Sequence, residues 1–141
     1  MRITTWNVNS IRARLERVLD WLDRTEPDVV AIQETKVVDD LFPRAPFEER
    51  GYHVETYGQK TYNGVAMLSR QPMEDVTRGF GVDPDEQRRL MGAVVDGVRV
   101  VNVYVPNGQS VDSPKYEYKL DWLEKLRIWL DEHVEPAEPL L

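Results

Sequence analysis

Glu34 closes the run Val29-Val30-Ala31-Ile32-Gln33-Glu34, and Asn7 closes Ile3-Thr4-Thr5-Trp6-Asn7, so a carboxylate and an amide each stand where a strand runs out. Brought together, the two suit a hard divalent cation, because oxygen ligands select Mg²⁺, with Mn²⁺ as the alternative. An ionised glutamate is costly inside a sheet and cheap at its rim, which fits a strand exit. Taken alone, Glu34 reads as well as a solvated loop carboxylate.

The elements between the two residues decide whether they meet. Ile11, Leu15, Val18, Leu19 and Leu22 recur at helical spacing, Ser10 is placed to cap the start and Pro27 marks the end. Strand, helix and strand make a βαβ unit, whose right-handed crossover sets the strands parallel. As neighbours about 4.8 Å apart, they bring Asn7 and Glu34 to one edge of the sheet, where open α/β sheets place their sites.

Downstream, Val37 to Glu49 is polar and holds Pro43 and Pro46, which reads as a loop with one short helix. Tyr52–Tyr57 and Gly64–Ser69 form an antiparallel hairpin, and Met73–Arg78 an edge strand. Gly79 to Arg89 is charged and reads as an exposed loop. Asp96-Gly97 between Leu90–Val95 and Val98–Val105 is the strongest hairpin signal in the chain. Ser113-Pro114 opens a helix with Tyr116, Leu120, Leu123 and Leu130 on its apolar face, widened by Trp122 and Trp129. Leu140-Leu141, after Pro139, reads as the start of another strand.

With 141 residues, 41% of them hydrophobic, the chain suits one domain. It has neither a long apolar run nor a signal-like start, and the expectation is a cytoplasmic protein with no membrane partner. The absence of cysteine excludes disulfides, thiolate zinc and cysteine nucleophiles, so a metal must be held by oxygen or histidine. The net charge of −7 argues against a binder that grips nucleic acid by overall charge. A local basic cleft remains open, since −4 of that charge lies from Glu117 onward.

Five segments, in order, are Trp6-Asn7-Val8-Asn9-Ser10-Ile11-Arg12-Ala13, Gln33-Glu34-Thr35-Lys36, Gly58-Gln59-Lys60 with Tyr62-Asn63-Gly64-Val65-Ala66, Gln87-Arg88-Arg89, and Tyr104-Val105-Pro106-Asn107-Gly108. Together they resemble the exonuclease III and abasic-site endonuclease branch of the endonuclease/exonuclease/phosphatase superfamily. The resemblance implies a mixed α/β (α+β) fold, the N-terminal half of a four-layered αββα sandwich with a mixed, largely antiparallel sheet. It also implies Mg²⁺-dependent phosphodiester hydrolysis at abasic sites and 3′ ends of duplex DNA, carried out at the nucleoid. By the same resemblance Glu34 is the metal's carboxylate, Asn7 the amide supporting it, and Tyr104 the catalytic phenol that orients the phosphate. Asn9 stands where some relatives have aspartate. Arg12, Lys36, Lys60, Arg88, Arg89 and Asn107 are the implied DNA contacts. Outside the resemblance, Tyr104 reads as a strand tyrosine and the basic residues as solvated side chains; Trp6 and Met91 read as core, and His53 and His133 as ordinary side chains.

The same branch carries a later Gly-Asp-Phe/Met-Asn stretch and a closing Asp-His pair, and neither motif occurs here. Residues 1–141 are therefore expected to be a single incomplete domain that supplies one sheet and is inactive alone, its other partner being the missing C-terminal half. One sheet face would then lie bare and favour dye binding or self-association. Two alternatives stay open: another phosphoesterase of the superfamily, a phosphatase or sphingomyelinase, and a non-catalytic DNA-binding remnant.

Overall fold

The computed structural model describes residues 1–82 and 86–141; the middle of the expected charged loop, residues 83–85, lies outside them. Among the described residues, seven strands and three α-helices follow one another as β1 Ile3–Asn7, α1 Ile11–Thr25, β2 Val29–Gln33, α2 Ala45–Glu48, β3 His53–Tyr57, β4 Val65–Ser69, β5 Glu74–Arg78, β6 Leu90–Val95, β7 Val98–Val103 and α3 Pro114–His133. The first βαβ unit forms as the pattern requires: β1 and β2 pair in parallel, with Asn7 opposite Gln33. Ser10 Oγ accepts from the Ala13 N–H to start α1, and Glu26 closes it in a left-handed conformation. Asp96 and Gly97 carry the positive φ values of a tight hairpin turn between β6 and β7.

The strands divide into a four-stranded sheet, order β1-β2-β4-β3, and a three-stranded sheet, order β5-β6-β7. This corrects the expectation of one sheet. The apolar alternation of a strand says which face is buried but not which sheet it joins. Val29, Val65 and Met67 of the first sheet pack against Met91, Ala93, Val95 and Val100 of the second, so the face expected to lie bare is covered. The other face of the four-stranded sheet carries Val30, Ile32, Ala66 and Leu68, buried under Ile11, Val18 and Leu22 of α1 and under Phe42 and Phe47. Met91 is core as expected, Trp6 packs partly buried beside Trp21, and both histidines are exposed.

Helix α3 lies against the outer face of the smaller sheet, which completes four layers. Of the apolar face its spacing predicts, Trp122 and Trp129 are buried as expected, whereas Leu120 and Leu123 are exposed. The physical reason is the sheet surface. Gly92 presents no side chain, and the Trp129 ring comes within 3.7 Å of where a Cβ would stand. Leu140 forms a parallel bridge to Arg99 of β7, in line with the strand expected after Pro139. The Arg99 guanidinium, nearly buried, is held by Asp75 and Glu138 at 2.8 Å each. Among the described residues no helix is long and apolar enough to cross a membrane.

Candidate active site

Three loops meet at the rim where β1 and β2 end and β4 begins, and their backbone hydrogen bonds fix one another. Ser10 N–H donates to the Glu34 carbonyl at 2.8 Å, Thr35 N–H to the Gly64 carbonyl at 3.1 Å, and Lys36 N–H to the Asn63 carbonyl at 2.9 Å. Asn9, Ser10, Glu34, Lys36, Thr61 and Asn63, none of them glycine, all take positive φ in these loops. Each such residue is held at a cost of order 1–3 kcal/mol, and strain of this kind gathers at functional sites.

Gly64 is a loop residue whose lack of a side chain is indispensable. Its φ is +89°, and a Cβ there would stand 2.1 Å from Thr35 Oγ1. Gly64→Ala is therefore expected to destabilise the chain by about 2–4 kcal/mol, from left-handed strain plus overpacking beside Glu34. Thermal melting of the variant checks this.

Glu34 is surrounded by donors. Asn7 Nδ2 donates to its Oε1 at 2.9 Å, and the Lys36 ammonium lies 3.3 Å from its Oε2. Asn7 Oδ1 accepts the Asn9 backbone N–H at 3.1 Å, which obliges the amide nitrogen to face Glu34. In this arrangement Asn7 orients the carboxylate and does not present its oxygen to a cation. Asn9 Oδ1 accepts from Lys36 at 2.6 Å, so one positive charge joins Glu34 to the amide of Asn9. The Tyr104 phenol interacts with the same carboxylate. The Arg89 guanidinium lies over the Tyr104 ring, 4.5 Å from its centroid, and donates to the Tyr104 carbonyl at 3.1 Å.

These contacts set the protonation states. Partial burial works to raise the Glu34 pKa, but the hydrogen bonds from Asn7, Tyr104 and Lys36 outweigh it and hold the carboxyl below its ordinary value. Burial first, and then the Glu34 charge, push the Tyr104 phenol up against the opposing effect of Arg89. The signs give a pH prediction. Glu34 contributes stability above its unfolded pKa, lost as pH falls through the lowered folded value; Tyr104 contributes below its unfolded pKa of about 10, lost as pH rises through the raised one. Melting across pH is expected to show both limbs, with Glu34→Gln flattening the acid limb and Tyr104→Phe the alkaline one.

The donor set bears on a metal. Glu34 is one carboxylate at the rim, partly exposed, which fits a Mg²⁺ that keeps several of its waters. No group of three or more His, Asp or Glu gathers anywhere among the described residues.

The remaining expected site residues divide between two recesses and the start of α1. Arg89, Tyr104 and Asn107 line an open cleft of about 560 Å³ together with Tyr62, Lys115 and Tyr118. Lys60 and Arg88 line a neighbouring recess with Asp39. Arg88 is engaged by its own protein while its side chain stays partly exposed: it donates to the Gly58 carbonyl at 2.9 Å, lies over Tyr57 and faces Asp39 at 3.6 Å. Asn107 Oδ1 accepts from Gln109 N–H at 2.9 Å, and Arg12 is exposed in the first turn of α1. Sequence reasoning missed Tyr62, Tyr118 and the two buried amides Gln33 and Asn102. For the amides a signal existed, since an amide inside runs as apolar as Val-Val-Ala-Ile-Gln and Val-Val-Asn-Val is anomalous unless it is hydrogen-bonded.

Comparison with known proteins bears on the family and the fold. A family model described as the Endonuclease/Exonuclease/phosphatase family matches residues 4–141. The Haemophilus influenzae protein named exodeoxyribonuclease III is 33% identical over 147 residues, spanning 100% of this chain and 55% of that protein. A 3′-5′ exonuclease, NExo, from Neisseria meningitidis superposes with a TM-score of 0.94 at 45% identity, over 99% of this chain and 55% of its own. A second structure of NExo, described as a 3′ phosphatase bound to product DNA hairpin, gives 0.89 at 47% identity, over 94% and 52%. An AP endonuclease from Archaeoglobus fulgidus gives 0.92 at 45% identity, over 98% and 54%. The chain thus spans about half the length of the relatives it matches. It belongs to the endonuclease/exonuclease/phosphatase family, with the fold of its exonuclease III and AP endonuclease members.

Proposed function

We propose that this chain carries the cation-binding and phosphate-orienting part of a DNA repair nuclease of exonuclease III type, which hydrolyses phosphodiesters at abasic sites and 3′ ends of duplex DNA. The observation that carries the reading is the convergence of Asn7, Lys36 and Tyr104 on the one carboxylate of Glu34. In this reading Glu34 is the metal ligand, Asn7 holds it in place, and Tyr104 offers a neutral O–H to a phosphate oxygen. A divalent ion bound there, Mg²⁺ or Mn²⁺, supplies positive charge for the phosphate and the leaving oxygen. Arg89 steadies the Tyr104 ring. Lys36, Lys60, Arg12, Arg88, Arg89 and Asn107 are the proposed backbone contacts, which orient a duplex without reading its sequence.

DNA as the substrate class is supported by the names of the relatives, which include an exodeoxyribonuclease, an AP endonuclease and a 3′ phosphatase bound to product DNA. Residues 1–141 are proposed to form part of a single domain acting on DNA in the cytoplasm, its remaining groups supplied by sequence of the kind the relatives have beyond the matched span. The test is fluorescence anisotropy of the chain with labelled duplexes, intact or carrying a tetrahydrofuran abasic analogue, at several salt concentrations. Salt-sensitive binding that favours the lesion or a 3′ end and weakens in Lys36→Met and Arg89→Met is expected. Failure to bind any duplex, together with hydrolysis of p-nitrophenyl phosphate or sphingomyelin, would replace the reading with that of a small-molecule phosphoesterase.

A further inference from the structure

Two amides lie buried between the sheets directly beneath the rim. Gln33 is the last residue of β2 and precedes Glu34; Asn102 is in β7, two residues before Tyr104 and on the same face of the strand. They are only 8% and 2% exposed. Gln33 Nε2 donates to Asn102 Oδ1 at 2.7 Å and to Thr5 Oγ1 at 2.9 Å, and lies 3.2 Å from the Ala31 carbonyl. Asn102 Nδ2 gives its two hydrogens to the Ile32 and Ala66 carbonyls, at 2.9 Å each. One side chain of β7 thereby grips both β2 and β4.

The neighbouring inter-sheet contacts are Val, Met and Ala, and apolar contact is non-directional. It holds the sheets together without saying how far one has slid along the other. Hydrogen bonds do say so, because they weaken steeply with distance and angle. Valine or leucine would fill the same space without the cost of burying amides, about 1–3 kcal/mol for each group left unpaired. Glu34 and Tyr104 are on different sheets, and their meeting depends on that slide. Tyr104 is two residues from the bond, about 6.6 Å along the strand, so a shift of the sheets is passed to it almost undiminished.

We propose that Gln33 and Asn102 are positioning residues, an inter-sheet clamp that sets the slide of the two sheets so that the Tyr104 phenol meets Glu34. The role rests on the reading of Glu34 and Tyr104 as one site, but its test needs neither DNA nor metal and is independent of nuclease activity. The whole chain is labelled with tyrosine carrying ¹³C in the ring, and the ring signals of each tyrosine are recorded by NMR at one neutral pH in the wild type, in Asn102→Leu and in Gln33→Leu/Asn102→Leu. Replacing both partners by apolar groups leaves no amide stranded, so the double variant is the one expected to fold where the single one does not. The expected result is that the Tyr104 ring signals move toward those of an unpacked tyrosine in both variants, while those of Tyr52, which is buried, and Tyr57, which is partly buried, stay where they are. An unchanged Tyr104 in a folded variant overturns the clamp. So do a common shift of all three tyrosines, which is general loosening, and failure of both variants to fold, which makes the pair a folding requirement. With the Tyr104 shift seen and no duplex binding by the wild type, the clamp stands and the nuclease reading falls.

Discussion

Incubated with an abasic-site duplex and Mg²⁺, the 141-residue chain is expected to cut at least about 10³-fold more slowly than the Haemophilus exodeoxyribonuclease III it resembles, the scale on which a catalytic unit fails when one member is removed. The reason lies in the protonation states around Glu34. Asn7 offers an N–H, Lys36 an ammonium and Tyr104 a phenol whose proton is held more tightly than usual. All three stabilise negative charge, and in these states none can take a proton from an attacking water. Glu34 itself is engaged by them and has its basicity reduced. The assay is a denaturing gel of end-labelled duplex with an EDTA control. An EDTA-sensitive nick at a rate near that of the relative would show that a base has been overlooked among the described side chains.

Glu34→Gln is expected to weaken Mn²⁺ binding by more than about 100-fold, and Asn7→Ala by about 10–100-fold, the range over which groups that orient a ligand act. The difference in size follows from the geometry. The glutamine keeps the shape of Glu34 but removes the charge on which a hard cation depends. Alanine at position 7 leaves the charge and frees the carboxylate to swing, since the bond from Asn7 Nδ2 to Oε1 is lost. Water proton relaxation by Mn²⁺ measures both affinities directly. Equal affinity in the wild type and Glu34→Gln would remove Glu34 from the metal site and leave it as an anchor for Lys36. The Asn7 variant separates orientation from ligation: a loss as large as that of Glu34→Gln would mean that the amide oxygen turns to the metal when one binds.

Much of the fold is written in local chemistry. The Ser10 cap, the turn at Asp96-Gly97 and the proline after Ser113 each act within a few residues, and each appears where the spacing predicts. The parallel pairing of β1 with β2 follows as directly, because the handedness of the crossover leaves one arrangement. The division of seven strands into two sheets was not legible, nor was the choice of Trp122 and Trp129 over Leu120 and Leu123 as the face of α3 against its sheet. Both depend on which distant surface is available, and an apolar residue carries no address for its partner.

For the site the line falls in the same place. Residue types and strand endings alone determined that a carboxylate and an amide would share a rim, because charge is tolerated at a sheet's edge and not within it. Only the packed molecule decided what each does there: Asn7 aims its nitrogen, not its oxygen, at Glu34, since the oxygen is taken by the Asn9 backbone. Arg88 is held by Gly58 and Tyr57 while its neighbour Arg89 covers Tyr104. Tyr104 reaches Glu34 from the second sheet, across the buried amides of Gln33 and Asn102, which stand 69 positions apart in the chain. A hydrogen bond of that span has no trace in local pattern, because its geometry exists only once both sheets have closed on one another.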